Sequence, residues 1–159
     1  MSKIAATEEQ RFQVAASPEK AYAFFSQLEQ LRGAMAGVER CEVLPDGHVH
    51  WVLKEQAGQG IRFQPDFVVA YQGNATDHVC CRSVKGNMGN DWDVWIQPRS
   101  DGSDIRYRET VEADLPITAL MALLIKPLVV KELRRDVGLF LDRVREHLAN
   151  GPNTPLENR

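Results

Sequence analysis

Residues 117–149 read ITALMALLIKPLVVKELRRDVGLFLDRVREHLA, and this stretch decides the fold of the chain. In its second half, apolar side chains recur at steps of three and four: Leu133, Val137, Phe140, Val144 and Leu148. This period is typical of an amphipathic helix with one buried face. The following Asn150-Gly151-Pro152 is a stop signal, since glycine tolerates a positive φ and proline cannot continue a helix. The spacing therefore predicts a long C-terminal helix.

The first half of the stretch, residues 117–130, is apolar on nearly every side and is interrupted only by Thr118, Lys126 and Pro127. A helix of this kind is buried all round or faces a lipid-like ligand. Pro127 removes a backbone donor and predicts a kink or a break. A transmembrane span is excluded, because about 20 uninterrupted apolar residues are needed.

Composition limits the class of protein. A chain of 159 residues is expected to form one domain. We assign this domain to residues 9–149, with a flexible N-terminus over residues 1–8 and a disordered tail over residues 150–159. A net charge of −3 argues against nucleic acid as a partner, because such proteins need a basic face to bind phosphates.

The three cysteines, Cys41, Cys80 and Cys81, are an odd count without CxxC spacing. This pattern argues against a disulfide framework and against a zinc site. The first nine residues lack the apolar core of a signal peptide. These features predict buried, reduced thiols in a cytoplasmic protein without a metal.

The chain between the first strand and the C-terminal helix divides into two parts. Ser17-Pro18-Glu19 begins a helix, and a second short helix is expected over residues 28–35. Residues 38–115 then alternate with period two between short polar turns, which predicts an antiparallel meander. One long strand is expected over residues 61–71, with Pro65 marking an edge or a bulge.

One face of the predicted sheet is aromatic and must be covered. The C-terminal helix is the large apolar element left to cover it. Because a curved sheet bends more than one helix can fill, we infer a cavity between them; a fully packed core is the alternative.

Three sequences together resemble a known superfamily: FQVAASPEKAY at residues 12–22, IRYRETV at residues 105–111 and the helix at residues 133–148. Their order over residues 9–149 is similar to that of the START-like, birch-pollen-allergen-like (SRPBCC) superfamily, in particular its polyketide cyclase/dehydrase and lipid-transport group. The resemblance implies an α+β helix-grip fold, in which a seven-stranded curved antiparallel sheet wraps round the last helix and two short helices follow the first strand. It also implies binding of a lipid, quinone or polyketide-like molecule, and it carries over no catalytic residue.

The candidate ligand-binding residues are those expected between the aromatic face and the helix: Trp51, Phe63, Phe67, Trp92, Tyr107, Glu109, Leu120, Met121, Leu124 and Leu128. Ordinary core packing against the helix is the alternative for the aromatic members.

Glu109 and Tyr107 are the candidate catalytic residues. Alternation places Glu109 on the inner face between Tyr107 and Val111, where burial would raise its pKa and suit it to acid or base catalysis. Alternatively, a bulge turns Glu109 outward, or Arg62 or Arg82 pairs with it.

Other polar residues are assigned to the opposite, solvent-exposed face of the predicted sheet or to the surface. His48 and His50 share a face but lack a third ligand, and Asp91 and Asp93 are expected to point outward. We also expect His78 and His147 to lie at the surface.

The sequence thus predicts a carrier or binding protein for a hydrophobic small molecule, without a cofactor. Its entrance is expected between residues 116–130, the second short helix and the turn at residues 86–90. One alternative is a cyclase, dehydratase or hydrolase that needs no metal. Another is an interaction module that docks residues 117–130 on a partner protein or on a second copy of the chain, and the same residues are a candidate for peripheral contact with a membrane. The oligomeric state stays open.

Overall fold

The structure is a computed structural model that describes residues 1–58 and 60–150. Its elements follow in the order β1 (Ser2–Val14), α1 (Pro18–Ser26), α2 (Leu28–Ala34), β2 (Val38–Val43), β3 (Val49–Leu53), β4 (Gln56–Gly58), β5 (Ile61–Phe63), β6 (Asp66–Gly73), β7 (His78–Gly86), β8 (Met88–Arg99), β9 (Gly102–Leu115) and α3 (Ala119–Asn150).

Seven strands form one antiparallel sheet in the order β1-β9-β8-β7-β6-β3-β2. Neighbours in sequence are therefore neighbours in the sheet from β6 to β9, as expected for a meander. The N-terminal strand β1 pairs with β9 and forms one edge of the sheet. The predicted α+β architecture, a seven-stranded sheet with two early short helices and a long C-terminal helix, is confirmed.

Local sequence signals account for the start of α1 and for the first hairpin. The Ser17 hydroxyl caps α1 by accepting a hydrogen bond from the Lys20 backbone N–H at 3.3 Å, and Pro18 takes the first helical position. Between β2 and β3, Gly47 has a φ of +88°, which a glycine adopts without steric cost.

The prediction of a flexible N-terminus over residues 1–8 is wrong for the residues that β1 contains. β1 begins at Ser2 and pairs with β9 from Ser2 opposite Leu115 to Val14 opposite Ser103. Ile4 and Ala6 are buried by this pairing. The sequence does not show a clean alternation of apolar and polar residues here, because the charged Glu8 lies on the same side of β1 as Ile4 and Ala6. The Arg134 guanidinium binds the Glu8 carboxylate at 3.0 Å.

The single strand predicted over residues 61–71 is also corrected. Gln64-Pro65 divides it into β5 and β6, and β5 leaves the large sheet to pair with β4 as a two-stranded hairpin. Proline lacks the backbone N–H that a continuous ladder of hydrogen bonds requires, so the strand is interrupted there. The predicted tail begins within α3 at Asn150, and residues 151–159 lie outside the described residues.

Helix α3 runs without a break from Ala119 to Asn150 and contains Pro127, so the break, one of the two effects expected of Pro127, does not occur. The carbonyl that Pro127 leaves without a donor belongs to Leu123, which is 71% exposed, so water can solvate it. The helix packs mainly on β1 through a buried stripe that includes Val137, Leu141 and Val144.

His147 belongs to the buried side of α3, which corrects its assignment to the surface. Its side chain is 6% exposed and its ring lies 4.9 Å from that of Phe24. Burial lowers the pKa of this imidazole, because the charged form would lose its hydration.

Candidate functional site

An aromatic cluster occupies the middle of the inner face of the sheet, the face that α1 and α3 cover. Strand alternation brings Trp92 of β8 and Tyr107 of β9 to this face with ring centroids 5.8 Å apart. Tyr71 lies 5.8 Å from Trp92, and Trp51 donates its indole N–H to the Tyr71 hydroxyl at 3.0 Å. Phe140 of α3 closes the cluster at 5.7 Å from Tyr107.

Glu109 lies beside these rings. The Tyr107 hydroxyl donates a hydrogen bond to Glu109 Oε1 at 2.6 Å. Burial is the largest influence on this carboxyl and raises its pKa from 4.5 to about 6. The carboxylate of Asp136 on α3 raises the pKa further, whereas the hydrogen bonds from Tyr107 and Asn90 lower it. The carboxyl therefore changes charge close to neutral pH.

The two arginines considered as partners of Glu109 lie elsewhere. Arg82 binds Asp93 at 2.9 Å, and Arg62 lies 3.9 Å from Glu55. In residues 1–58 and 60–149, no Lys, Arg or His side chain forms an ion pair with Glu109. Its negative charge is thus stabilised by neutral donors alone.

Glu109 lies in a part of the inner face that is not fully buried, and we call this part the inner cleft: it comprises Asn90 and Val111 on the sheet, Asp136 and Phe140 on α3, and Glu109 itself. Asn90 lies opposite Val111 in the ladder between β8 and β9. Asp136 stands at the exposed rim, and Val111 and Phe140 pack against the hydrophobic core. The cleft therefore offers an apolar wall and two carboxyls of raised pKa, Glu109 within it and Asp136 at its rim.

The predicted binding residues separate into two groups. Trp51, Phe67, Trp92 and Tyr107 are all buried on the inner face, and the partly exposed Glu109 lies beside them. Phe63 is not with them: because β5 leaves the main sheet, Phe63 packs with Ile61 against a second cluster formed by Ile4, Leu115 and Ile125.

The first half of α3 differs most from the prediction. Leu120, Leu124 and Leu128 are 67%, 64% and 48% exposed, and Met121 is only partly buried. The expectation that these leucines face the aromatic cluster is wrong, because only Ile125 of residues 117–130 is buried. The helix presents its other side to β1 and leaves these leucines in solvent.

Two surface pockets lie away from the aromatic cluster. The first pocket has a volume of about 440 Å³, lies between the start of β1 and the first turns of α3, and is lined by residues that include Ile4, Ala122 and Leu123. The other, of about 180 Å³, lies by the connection of β7 to β8 and includes Lys3, Asn87 and Glu112. Trp51 and Tyr107 are 1% and 2% exposed, so the inferred cavity is closed at this point.

Several residues of the site were not predicted. Phe25, whose ring lies 6.3 Å from Trp92 and 6.4 Å from Tyr107, comes from α1, Tyr71 from β6 and Phe140 from α3, and Asn90 comes from the segment expected to be a turn. Tyr71 lies four residues after Phe67, so strand alternation places it on the same face as that candidate. The turn assigned to residues 86–90 is shorter than expected, because β8 begins at Met88.

The remaining polar residues occupy the outer face, as expected for most of them. His48 and His50 bind different carboxylates, Asp46 at 3.2 Å and Asp66 at 2.6 Å. Asp93 points outward, where it contacts Arg82 and His78.

The fold defines the class of protein as a helix-grip protein. Among solved structures, the chain is similar to a START superfamily protein from Mycobacterium smegmatis, with a TM-score of 0.67 and 17% identity over 91% of this chain and 97% of that one. It is similar to the same degree to TTHA0849 from Thermus thermophilus, with a TM-score of 0.66 and 19% identity over 91% and 96%. The resemblance found in the sequence is thus confirmed at the level of the fold.

A third similar structure is the di-domain ARO/CYC StfQ from the steffimycin biosynthetic pathway. Its TM-score is 0.63 and its identity 12%, over 92% of this chain and 51% of the two-domain chain. No protein-family model and no curated protein matches the sequence.

Proposed function

We propose that the protein binds an apolar small molecule of the lipid, quinone or polyketide class in the inner cleft. Glu109 carries this proposal. A carboxyl with no cation beside it, next to aromatic rings, destabilises the fold and contributes little to packing. Such a group is better explained by a ligand whose hydroxyl or carbonyl it binds.

The aromatic rings behind the cleft limit how deep a ligand reaches without rearrangement. Because Trp51 and Tyr107 are nearly inaccessible, the ligand first contacts Glu109, Val111 and Phe140. Deeper binding requires α3 to move away from β9. The first half of α3 is held by a small cluster around Ile125, which makes that end the easier one to displace.

Binding can be measured by the quenching of tryptophan fluorescence with a short-chain ubiquinone, beside native mass spectrometry for a retained lipid. Val111→Phe places a larger side chain inside the cleft, where it would occupy space that the ligand needs. We expect the quinone Kd to rise by about tenfold. Glu112→Phe, on the outer face of the same strand, is the matched control and should leave Kd unchanged. Absence of saturable quenching in the wild type, or equal effects of both variants, would contradict the proposal.

The raised pKa of Glu109 also favours an enzymatic alternative. A carboxyl that titrates at about 6 is suited to proton transfer near neutral pH. One similar structure is an ARO/CYC, so a polyketide-like substrate is the first class to assay. Turnover that is lost in Glu109→Gln would identify this activity, and turnover that is retained would remove Glu109 as its acid or base.

A second candidate function is docking on an anionic membrane surface through residues 117–130. Four exposed leucines support it, Leu120, Leu123, Leu124 and Leu128. Residues 116–131 contain Lys126 and Lys131 and no acidic residue, although the chain carries a net charge of −3. An apolar helix face flanked by lysines suits adsorption to anionic lipid. In the described part of the chain, no helix is both long and apolar enough to span a membrane.

Co-sedimentation with vesicles tests this docking. The wild type should sediment with phosphatidylglycerol vesicles and much less with phosphatidylcholine vesicles. Leu124→Glu should abolish sedimentation, because a charge then replaces an inserted side chain. Leu139→Glu is the matched control, since Leu139 is 47% exposed further along the same helix. Self-association that depends on concentration and is lost in Leu124→Glu would instead assign this face to a second copy of the chain.

A further inference from the structure

Three potential metal ligands meet on the outer face of the sheet, opposite the aromatic cluster. His78 and Cys80 are two residues apart on β7 and therefore point to the same side. Asp93 of β8 lies directly opposite Cys80 in the ladder. One ligand atom from each of the three side chains lies within 4.8 Å of the other two.

We propose that His78, Cys80 and Asp93 form a binding site for a divalent transition metal, with zinc as the preferred ion. A thiolate, an imidazole and a carboxylate are the ligand types that zinc takes in proteins. Three protein ligands leave a fourth position for water or an anionic oxygen, as in zinc sites that are open to solvent. Binding would release the thiol proton of Cys80 to solvent.

The surroundings of the three ligands fix their orientation. The Trp95 ring stacks on His78 at 5.6 Å between centroids. His78 Nε2 also lies 2.7 Å from Asp93 Oδ1, a hydrogen bond between two of the ligands that a shared ion would replace. The Arg106 guanidinium, on the neighbouring strand β9, lies 4.0 Å from the centre of the Trp95 ring. Neighbours that hold ligands in place are typical of metal sites.

An ion-pair network is the rival explanation, because Arg82 binds Asp93 Oδ1 at 2.9 Å. This network accounts for Asp93, Arg82 and His78, but it gives Cys80 no role. Cys80 is 8% exposed, yet it is absent from the hydrophobic clusters of the described residues, whereas the adjacent Cys81 belongs to the core. A buried thiol directed at an imidazole and a carboxylate is explained by a shared ion. Arg82 would then contact one carboxylate oxygen while the metal takes the other.

Cobalt(II) is the probe, because it gives a visible spectrum in tetrahedral zinc sites. We expect the chelator-treated full chain to bind one cobalt ion, with a thiolate-to-cobalt charge-transfer band that zinc abolishes. Cys80→Ala should remove this band. Cys81→Ser, one residue along and on the opposite face, should keep it.

His78→Gln provides a second test that leaves the thiol in place. Loss of an outer-shell partner alone weakens metal binding by about 10–100-fold. The Kd of the variant for zinc, measured by calorimetry, should rise by more than this. Far-ultraviolet circular dichroism checks that each variant is folded. A wild type without the charge-transfer band, or a band that persists in Cys80→Ala, would overturn the proposal.

Discussion

Replacing Leu141 with alanine is expected to lower the free energy of unfolding by about 2–5 kcal/mol, the range found for buried leucines. The Leu141 side chain is 0% exposed, and it lies in the stripe by which α3 packs on the sheet. Truncation removes apolar contacts and leaves a cavity that the surrounding strands can fill only in part. Urea unfolding monitored by circular dichroism measures the change.

Leu124→Ala is the matched control on the same helix. Its side chain is 64% exposed, so the free energy of unfolding should change by less than about 0.5 kcal/mol. If both variants were destabilised equally, the orientation of α3 would differ from that in the structure, and Leu124 would face the interior as the sequence first indicated.

Leu124 shows why the sequence could predict a helix but not its covered side. Residues 117–130 are apolar on nearly every side, and this pattern was interpreted as burial on every side. In the structure, the buried residue of this half of the helix, Ile125, packs against Ile4 of β1 and Leu115 of β9, with Ile61 and Phe63 of β5 beside them. Periodicity identifies the face that is buried only where polar residues mark the other face, as they do from Lys131 onward.

The sheet was predictable where side chains alternate cleanly between turn residues. The turn residues Pro45-Asp46-Gly47 lie between β2 and β3, as their turn propensity indicates, and the alternation from Ile105 to Val111 matches the inner face of β9. The errors occurred where one local signal competed with another. Pro65 ended a strand that it was expected only to distort, and the inward charge of Glu8 concealed the first half of β1.

The candidate sites differ in how visible they are from the sequence. The inward position of Glu109 follows from its two apolar neighbours on the same strand. Phe25 and Phe140 belong to helices, and no local pattern places them beside β9. The cluster of His78, Cys80 and Asp93 was missed because its ligands come from two strands, whereas the expected zinc signature was a CxxC pair.

Glu109→Gln is expected to stabilise the protein by about 2 kcal/mol at neutral pH. The folded-state pKa is about 6 and the ordinary value 4.5, so the folded state binds more protons than the unfolded state between these two values. Stability is therefore lost as the pH rises through this window, and about 1.36 kcal/mol is lost for each unit of pKa difference. Glutamine removes the charge but keeps an oxygen that can accept the Tyr107 hydroxyl.

Urea unfolding at about pH 7.5 and about pH 4 tests both the size and the sign of this effect. The advantage of Glu109→Gln should be present at the higher pH and nearly vanish at the lower, where both states of the wild type carry a protonated carboxyl. Glu112→Gln is the control, because its side chain is 49% exposed on the outer face.

The affinity for the ligand should also depend on the charge of Glu109. An apolar ligand covering Glu109 would remove further water from the carboxyl and raise its pKa again, so that binding takes up a proton. The quinone Kd of the wild type should then rise with pH above about 6, by about tenfold for each unit of pKa that the ligand adds. The Glu109→Gln variant should bind with the same Kd across this range. If Glu109→Gln instead bound the quinone more weakly and were less stable than the wild type at about pH 7.5, the ionised carboxylate would stabilise the fold and would not indicate a binding site.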